Sequence, residues 1–240
     1  MMNIVDIHNS KTSLNKSSDK WASYLHYYDS IFKNIQNKND FRLLEIGVQN
    51  GGSLETWANY FTNGSIFVGC DINTKCSELV FSDSSIKLVV GDANNNNTYS
   101  QIKQISGNFD VVIDDGSHIS EDIISSFELY FPLLNPGGIY VVEDTHALYW
   151  NDWGGGILNE KSAYNFFKKL IDVINFEHWR GDLSRLDVYF RTFYEFGKLP
   201  SFINDGWVES IEFKNSIISI KKSIAATHNK LGERLISGLV

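Results

Sequence analysis

Two segments hold most of the residues that could do chemistry. One runs Val112-Ile113-Asp114-Asp115-Gly116-Ser117-His118 and the other Val141-Val142-Glu143-Asp144-Thr145-His146. Each starts as an apolar run and finishes in paired acids, as expected where strand ends deliver carboxylates to the rim of a sheet. If the two strands are neighbours, Asp114, Asp115, Glu143 and Asp144 converge at one mouth. Crowded carboxylates repel, so some must bind protons or share a cation. A hard divalent ion with all-oxygen ligands resolves the repulsion, and Mg²⁺ keeps several waters that a substrate can displace. His118, three residues after Asp115, adds an imidazole able to accept a proton near neutral pH. Such a set suits activation of an alcohol. Two vicinal oxygens on Mg²⁺ would stabilise a developing alkoxide while the histidine takes its proton. Singly, Asp114 or Asp115 could cap a helix starting near Ser120, and a Ser-His pair could be a plain turn. As a cluster, the chemical reading outweighs those.

Three other strand ends also carry chemistry. Leu43-Leu44-Glu45-Ile46-Gly47-Val48-Gln49-Asn50-Gly51-Gly52-Ser53 sets a Gly-rich turn between a strand and a helix. Gly47 and Gly51 would let backbone approach a ligand, and Ser53 would cap the helix. The spacing G-x-x-x-G-G departs from the G-x-G-x-x-G of dinucleotide binders. Val68-Gly69-Cys70-Asp71-Ile72 ends in a carboxylate suited to a ribose diol, and Val90-Gly91-Asp92-Ala93 in one suited to an adenine amino group. Each acid alone is more often a loop or cap residue. Three in register fit a zwitterionic nucleoside with one diol and no phosphate.

These ends need a scaffold. Apolar runs at Phe41–Ile46, Ile66–Asp71, Ile86–Val90, Phe109–Ile113 and Gly138–Val142 alternate with amphipathic stretches at Ser53–Phe61, Thr98–Ile105 and Ser120–Leu134. Runs apolar throughout suit strands covered on both faces, so the pattern predicts βαβ units in a parallel sheet. Asn135-Pro136-Gly137-Gly138 is expected to stop the helix before the fifth strand. Further on, Glu160–Asn175 predicts a long helix, and Leu183–Phe196 is aromatic and ambiguous. Trp207–Phe213, a Lys214-Asn215 turn and Ser216–Lys221 predict a hairpin. The tail from Ser223 is helical or loose.

With 240 residues the chain favours one domain, and 21 Lys plus Arg against 29 Asp plus Glu give a net charge of −8. Acidity of that size repels phosphate backbones and anionic lipid, so neither nucleic acid nor membrane is an expected partner. No apolar run approaches the roughly 20 residues of a spanning helix, and polar Met1–Lys20 has no signal-like apolar region. Cys70 and Cys76 could pair, but a buried thiol in a strand is commoner, so the expectation is a reduced, cytoplasmic protein.

The segment Leu43–Trp150 resembles the class I S-adenosylmethionine-dependent methyltransferases. Within them it is most similar to the metal-dependent sugar O-methyltransferases of macrolide-sugar, rhamnosyl and capsule type, a family also labelled cephalosporin hydroxylase. The resemblance implies an α/β, Rossmann-like methyltransferase fold: a seven-stranded, mostly parallel sheet with an antiparallel C-terminal hairpin strand and helices on both faces. It implies a cofactor site at Glu45, Gly47, Asp71 and Asp92, to which Gly51, Ser53, Ile72, Ala93 and Asp114 are added from the turns above. It makes Asp115, Glu143 and Asp144 ligands of Mg²⁺ or another divalent cation, and His118 the general base. The implied reaction moves a methyl group from S-adenosylmethionine to a sugar hydroxyl, on a capsular or nucleotide-linked hexose or heptose. The expected partner is therefore a small sugar or sugar nucleotide; a homo-oligomer stays open.

On this reading residues 1–240 form one methyltransferase domain. Residues 1–38 are a helical cover, 41–150 the cofactor and metal core, 151–205 a variable acceptor region and 207–222 the hairpin. Ser17-Ser18-Asp19-Lys20 and Tyr24-Leu25-His26-Tyr27-Tyr28 resemble the family's N-terminal cover helix, though a packing face explains the aromatics more simply. His146 stands between substrate contact and ordinary surface, Tyr149-Trp150 between core packing and sugar stacking, and Gly154-Gly155-Gly156 between lid and connector. His178 and His228 have no partner pattern. Competing readings are a metal-dependent hydroxylase, a methyltransferase of natural-product glycosides, and a non-catalytic nucleotide-binding subunit. Iron oxygenases usually present two histidines and one carboxylate, unlike this acid-rich mouth.

Overall fold

A computed structural model describes residues 2–10, 16–180 and 185–238. The remaining residues, including parts of the polar N-terminus and of Leu183–Phe196, lie outside the described ones. In chain order the main elements are α1 (Ile4–Asn9), α2 (Ala22–Phe32), β1 (Phe41–Ile46), α3 (Gly52–Tyr60), β2 (Gly64–Asp71), β3 (Ile86–Val90) and α4 (Asn96–Ile105). They continue with β4 (Phe109–Asp114), α5 (Ser120–Tyr130), β5 (Leu134–Val142), α6 (Ala163–Ile174), α7 (Leu186–Tyr189), α8 (Ser201–Asn204), β6 (Val208–Lys214) and β7 (Ile217–Lys222).

The seven strands form one sheet ordered β3-β2-β1-β4-β5-β7-β6. β1 to β5 pair in parallel, and β7 joins β5 and β6 antiparallel. This is the Rossmann-like methyltransferase arrangement that the resemblance implies, and its parallel strands and terminal hairpin are those the apolar pattern predicts. It has two faces because side chains alternate along each strand. Leu43, Val111, Ile113 and Val141 join α1, α2 and α3 on one face. Leu44, Val112, Tyr140 and Val142 join α4, α5 and α6 on the other. Every residue of β4 is buried, as a strand covered twice requires.

The same alternation aims the polar strand ends. Glu45 faces α3, where Ser53 Oγ and Trp57 Nε1 donate to it at 2.7 and 3.1 Å. Glu143 faces α2, where the Tyr28 hydroxyl donates at 2.6 Å. Asp114 faces the opposite layer and accepts from Tyr140 Oη at 3.2 Å. Strand parity thus sends Glu45 and Glu143 to one face and Asp114 to the other.

Three local expectations change. Helix α5 stops at Tyr130, and Pro132 sits in the 3₁₀ turn Phe131–Leu133 that follows. Asn135-Pro136-Gly137-Gly138 is therefore a bulge inside β5, bracketed by the pairs Phe109–Leu134 and Val111–Ile139. The proline that ends the helix is the earlier one, and Gly137, with φ +78°, carries the bulge. The hairpin turn is Asn215-Ser216, since Lys214 pairs with Ile217 and Ser216 takes φ +67°. Ser53 does not cap α3: Gly51 holds the N-cap position, and the Ser53 hydroxyl is spent on Glu45. From Ser223 to Gly238 the described tail forms no helix or strand. No described helix is long and apolar enough to cross a membrane.

Gly47 joins the strand tips. Its φ is +88°, and a Cβ there would stand 1.9 Å from the Asp115 carbonyl oxygen. The close approach the glycine permits is thus to the chain itself. Gly51 likewise makes room for the Phe81 ring. Gly47→Ala combines a left-handed backbone penalty with overpacking, so it is expected to cost roughly 2–5 kcal/mol in urea denaturation. A loss under about 0.5 kcal/mol would show that the β1 turn and the β4 tip do not meet this way.

Candidate active site

A cleft of about 790 Å³ opens over the carboxyl ends of the parallel strands, where ligands bind in doubly wound sheets. Its wall includes Gly47, Asp71, Ile72, Asp92, Ala93, Asp114, Asp115, His118, Glu143 and Asp144. Glu45, Gly51 and Ser53 are not on that wall. Glu45 is fully buried beneath it, and Ser53 and Gly51 support the turn above.

One side of the cleft is shaped by β1, β2 and β3. Asp71 Oδ2 accepts the backbone N–H groups of Val48 and Gln49 at 2.8 and 2.7 Å, and Oδ1 accepts that of Asn73 at 2.8 Å. The acid thereby clamps the β1 turn while lining the cleft. Asp92 is exposed, with Oδ1 accepting from Asn94 N–H at 2.9 Å. Ala93 is held by its carbonyl, which accepts from Tyr130 Oη at 2.6 Å. Cys70 and Cys76 are both free thiols; Cys70 donates to the Gly91 carbonyl and Cys76 to that of Gln49.

The other side holds the acids of β4 and β5. Asp115, His118 and Asp144 each bring one ligand atom to within 4.8 Å of the others. His118 Nε2 lies 4.0 Å from Asp115 Oδ1 and 3.8 Å from Asp144 Oδ2. Both His118 and Asp144 sit at left-handed φ, +57° and +51°. Non-glycine residues rarely hold that conformation, and its clustering is typical of functional sites. Glu143 falls outside this trio. Its Oε1 accepts from Tyr28 Oη and from Lys20 Nζ, the latter at 2.8 Å. Asp114 also stands apart, turned toward Tyr140, with Oδ1 accepting from Gly116 N–H at 3.3 Å. The four predicted acids therefore converge in part: two meet the histidine, one lies beneath on a lysine, and one faces the other layer.

Lys20, noted in the sequence only as part of the cover segment, has a place among the acids that sequence reasoning did not assign. Its ammonium is 2.5 Å from Asp115 Oδ2, 2.8 Å from Glu143 Oε1 and 3.8 Å from Glu45 Oε1, with only 4% of the side chain exposed. Burial alone would lower its pKa, but the charges of Glu143, Asp115 and Glu45 outweigh burial and raise it. Burial pushes Glu143 up although the lysine opposes the rise, and it pushes Asp114 up to about 7. Nothing in the sequence spacing links position 20 to position 115. The aromatic helical run after Lys20 was the available signal, and it reads as packing. It is packing, yet its hydroxyls reach acids: Tyr24 Oη donates to Asp144 Oδ1 at 2.8 Å.

The rim is aromatic. Trp21 and Trp150 are exposed and Trp153 is half-buried, its ring 6.0 Å from that of His118. Tyr149 is 47% exposed, its ring tilted against that of Tyr164, and Trp150 is exposed too, so neither belongs to the core. His146 lines the cleft and hydrogen-bonds Ser216 Oγ through Nδ1. The triple-glycine segment is a tied connector, with Gly155 N–H donating to the Trp150 carbonyl and Gly156 N–H to that of Leu148. His178 is exposed beside Glu177, and His228 hydrogen-bonds the Asn204 carbonyl through Nε2.

The sheet order and the cleft over its carboxyl ends define the methyltransferase class, and residues 44–145 match the family described as methyltransferase domain. Demethylmacrocin O-methyltransferase of Streptomyces fradiae is 36% identical over 183 residues, 71% of this chain and 45% of that protein. An 8-demethyl-8-alpha-L-rhamnosyl tetracenomycin-C 2'-O-methyltransferase of Streptomyces olivaceus is 30% identical over 229 residues, 90% of this chain and 55% of that one. The solved MycE methyltransferase of mycinamycin biosynthesis, in complex with Mg and SAH, superposes with a TM-score of 0.74 at 27% identity, covering 92% of this chain and 55% of that one. Residues 44–145 of this chain thus form a methyltransferase domain with the class I, Rossmann-like fold, and the chain is similar to O-methyltransferases of the macrolide- and tetracenomycin-sugar type. It spans about half the length of the curated relatives it matches.

Asp114 gives a pH signature. An unfolded aspartate titrates near 3.9, whereas the folded carboxyl is raised to about 7 by burial. Between those values the folded state holds a proton the unfolded chain has released, so this group's contribution to stability falls as pH rises from about 4 to 7. Asp114→Asn should remove that fall. At about 1.4 kcal/mol per tenfold change in proton affinity, the variant should gain up to roughly 4 kcal/mol on the parent across the window. Urea denaturation of both proteins in chelator, at several pH values, measures it; parallel stability curves would refute the assignment.

Proposed function

We propose that the protein transfers the methyl group of S-adenosylmethionine to a hydroxyl of a sugar, with a divalent cation, Mg²⁺ by its chemistry, at the β4–β5 tips. The observation that carries this is the meeting of Asp115, Asp144 and His118 within 4.8 Å in the same cleft that Asp71 and Asp92 line. A base, an anionic seat and a nucleoside-sized groove with two acids thus share one opening.

The donor set fits a hard cation. Asp115, Glu143 and Asp144 are carboxylates, and the first and second already surround one buried ammonium. Bound there, the cation would supply Lewis-acid polarisation of an acceptor hydroxyl. His118 Nε2 faces both Asp115 Oδ1 and Asp144 Oδ2, so a proton taken from the acceptor is held as an imidazolium beside two negative charges. Asp71 would receive ribose hydroxyls and Asp92 the adenine amino group, with Gly47, Ile72, Ala93 and Asp114 lining the same groove. Glu45, Gly51 and Ser53 act from behind, by fixing the turn. Trp21, Trp150 and Trp153 offer apolar faces for a sugar ring at the rim.

The acceptor itself is a glycoside or a nucleotide-linked or capsular hexose or heptose, met in the cytoplasm, and residues 151–205 are proposed to select it. The acceptors printed in the relatives' names, macrolide and tetracenomycin sugars, favour a glycosidic sugar. The hydroxylase reading gains nothing, because the converging trio has one histidine where iron oxygenases usually use two.

Methyl transfer from radiolabelled S-adenosylmethionine to a panel of glycosides and sugar nucleotides tests the reading. Chelator should abolish turnover and Mg²⁺ restore it. His118→Ala should lower kcat by roughly 10²–10⁴-fold, with affinity for S-adenosylhomocysteine kept within threefold. Turnover indifferent to both treatments would remove the cation and the base.

A further inference from the structure

Each of the three acids proposed to hold the cation has one oxygen taken by the segment around α2. Lys20 Nζ donates to Asp115 Oδ2 at 2.5 Å and to Glu143 Oε1 at 2.8 Å. Tyr28 Oη donates to the same Glu143 Oε1 at 2.6 Å, and Tyr24 Oη donates to Asp144 Oδ1 at 2.8 Å. The partner oxygens are Asp115 Oδ1, Glu143 Oε2 and Asp144 Oδ2. No hydrogen bond among the described residues reaches them, and two of the three face His118 Nε2, at 4.0 and 3.8 Å. The division is spatial as well. Lys20 and Glu143 are 4% and 2% exposed at the side chain, while Asp115, Asp144 and His118 keep 21%, 30% and 21% open to the cleft.

We propose that Lys20, Tyr24 and Tyr28 are positioning residues: the N-terminal segment grips one oxygen of each carboxylate and so aims the other at a divalent cation. The inference rests on the reading that Asp115, Glu143 and Asp144 hold that cation, and it assigns the outer partners that orient them. Such partners fix a ligand's rotamer and are commonly worth 10- to 100-fold in metal affinity. A second assignment of the lysine is that its ammonium stands in the cation's place and competes with it. Occupied oxygens differ from the free ones: three carboxylates, Glu45 included, share a single ammonium, while the fourth, Asp144, meets only an uncharged phenol there. That leaves charge and donors for a divalent ion beside Lys20. The two tyrosines separate the assignments further, because they carry no charge and yet grip the same acids.

The test reads metal affinity directly, by Mn²⁺ and Mg²⁺ titration of the intact chain using calorimetry and the free-Mn²⁺ resonance signal. Tyr24→Phe and Tyr28→Phe should each weaken binding about tenfold, and Lys20→Met about 10- to 100-fold. Affinity for S-adenosylhomocysteine should stay within threefold in all of them. Tighter metal binding by Lys20→Met, or tyrosine variants within twofold of the parent, would overturn the proposal. Should Lys20→Met fail to fold, the two tyrosine variants decide alone. Asp115→Asn is the control for the underlying reading: if it binds Mn²⁺ like the parent, the cation site itself is misassigned, and the positioning roles go with it.

Discussion

Like charges gathered out of water are the constraint around which the site is organised. Glu45, Asp115, Glu143 and Asp144 lie at or below the mouth of the sheet, and burial alone drives Glu45 and Glu143 toward protonation. An isolated buried carboxylate is costly, and a group of them is worse. The chain answers with one lysine from a distant segment, placed among three of them, and with phenols that satisfy oxygens without adding charge. The result is an anionic cup whose floor is neutralised from within and whose open side stays short of positive charge. This imbalance is what makes a divalent ion its natural complement.

The cover helix is therefore part of the site as well as of the core. Trp57 of α3 packs edge to face on Tyr28 and Phe32 of α2, with centroids 5.0 and 6.2 Å apart. Apolar contact of this kind supplies the binding energy that a polar docking surface would lack. Because the same tyrosine that packs on Trp57 also bonds Glu143, a shift of α2 and a shift of the acid cluster are one event. Backbone strain sits nearby, in the left-handed His118 and Asp144.

Much of this was legible in the residues. The five parallel strands were readable from apolar runs because a strand covered on both faces has no polar side to hide its period. The cleft residues of β2, β3, β4 and β5 were readable because acids at strand ends are unusual and strand ends share one rim. Less was readable where a second proline stood close by, so that Pro132 and not Pro136 ended α5, and where a hydroxyl had two possible uses, so that Ser53 served Glu45 and left the cap to Gly51. Tyr149 and Trp150 were open between core packing and sugar stacking because aromatic character alone does not say which side of a loop is wet.

Sequence by itself determined the layer architecture and which side chains are acids at the tips, since both follow from local pattern and period. Only the folded chain decided how those acids divide. Parity along β4 and β5 turned Asp114 and Glu143 to opposite faces, and a left-handed turn brought Asp144 back toward Asp115 and His118. The seat of Lys20 among acids 25 to 123 residues away was likewise settled by the packing of α2 on the sheet. Contacts across such separations depend on how whole elements dock, and no local spacing encodes that.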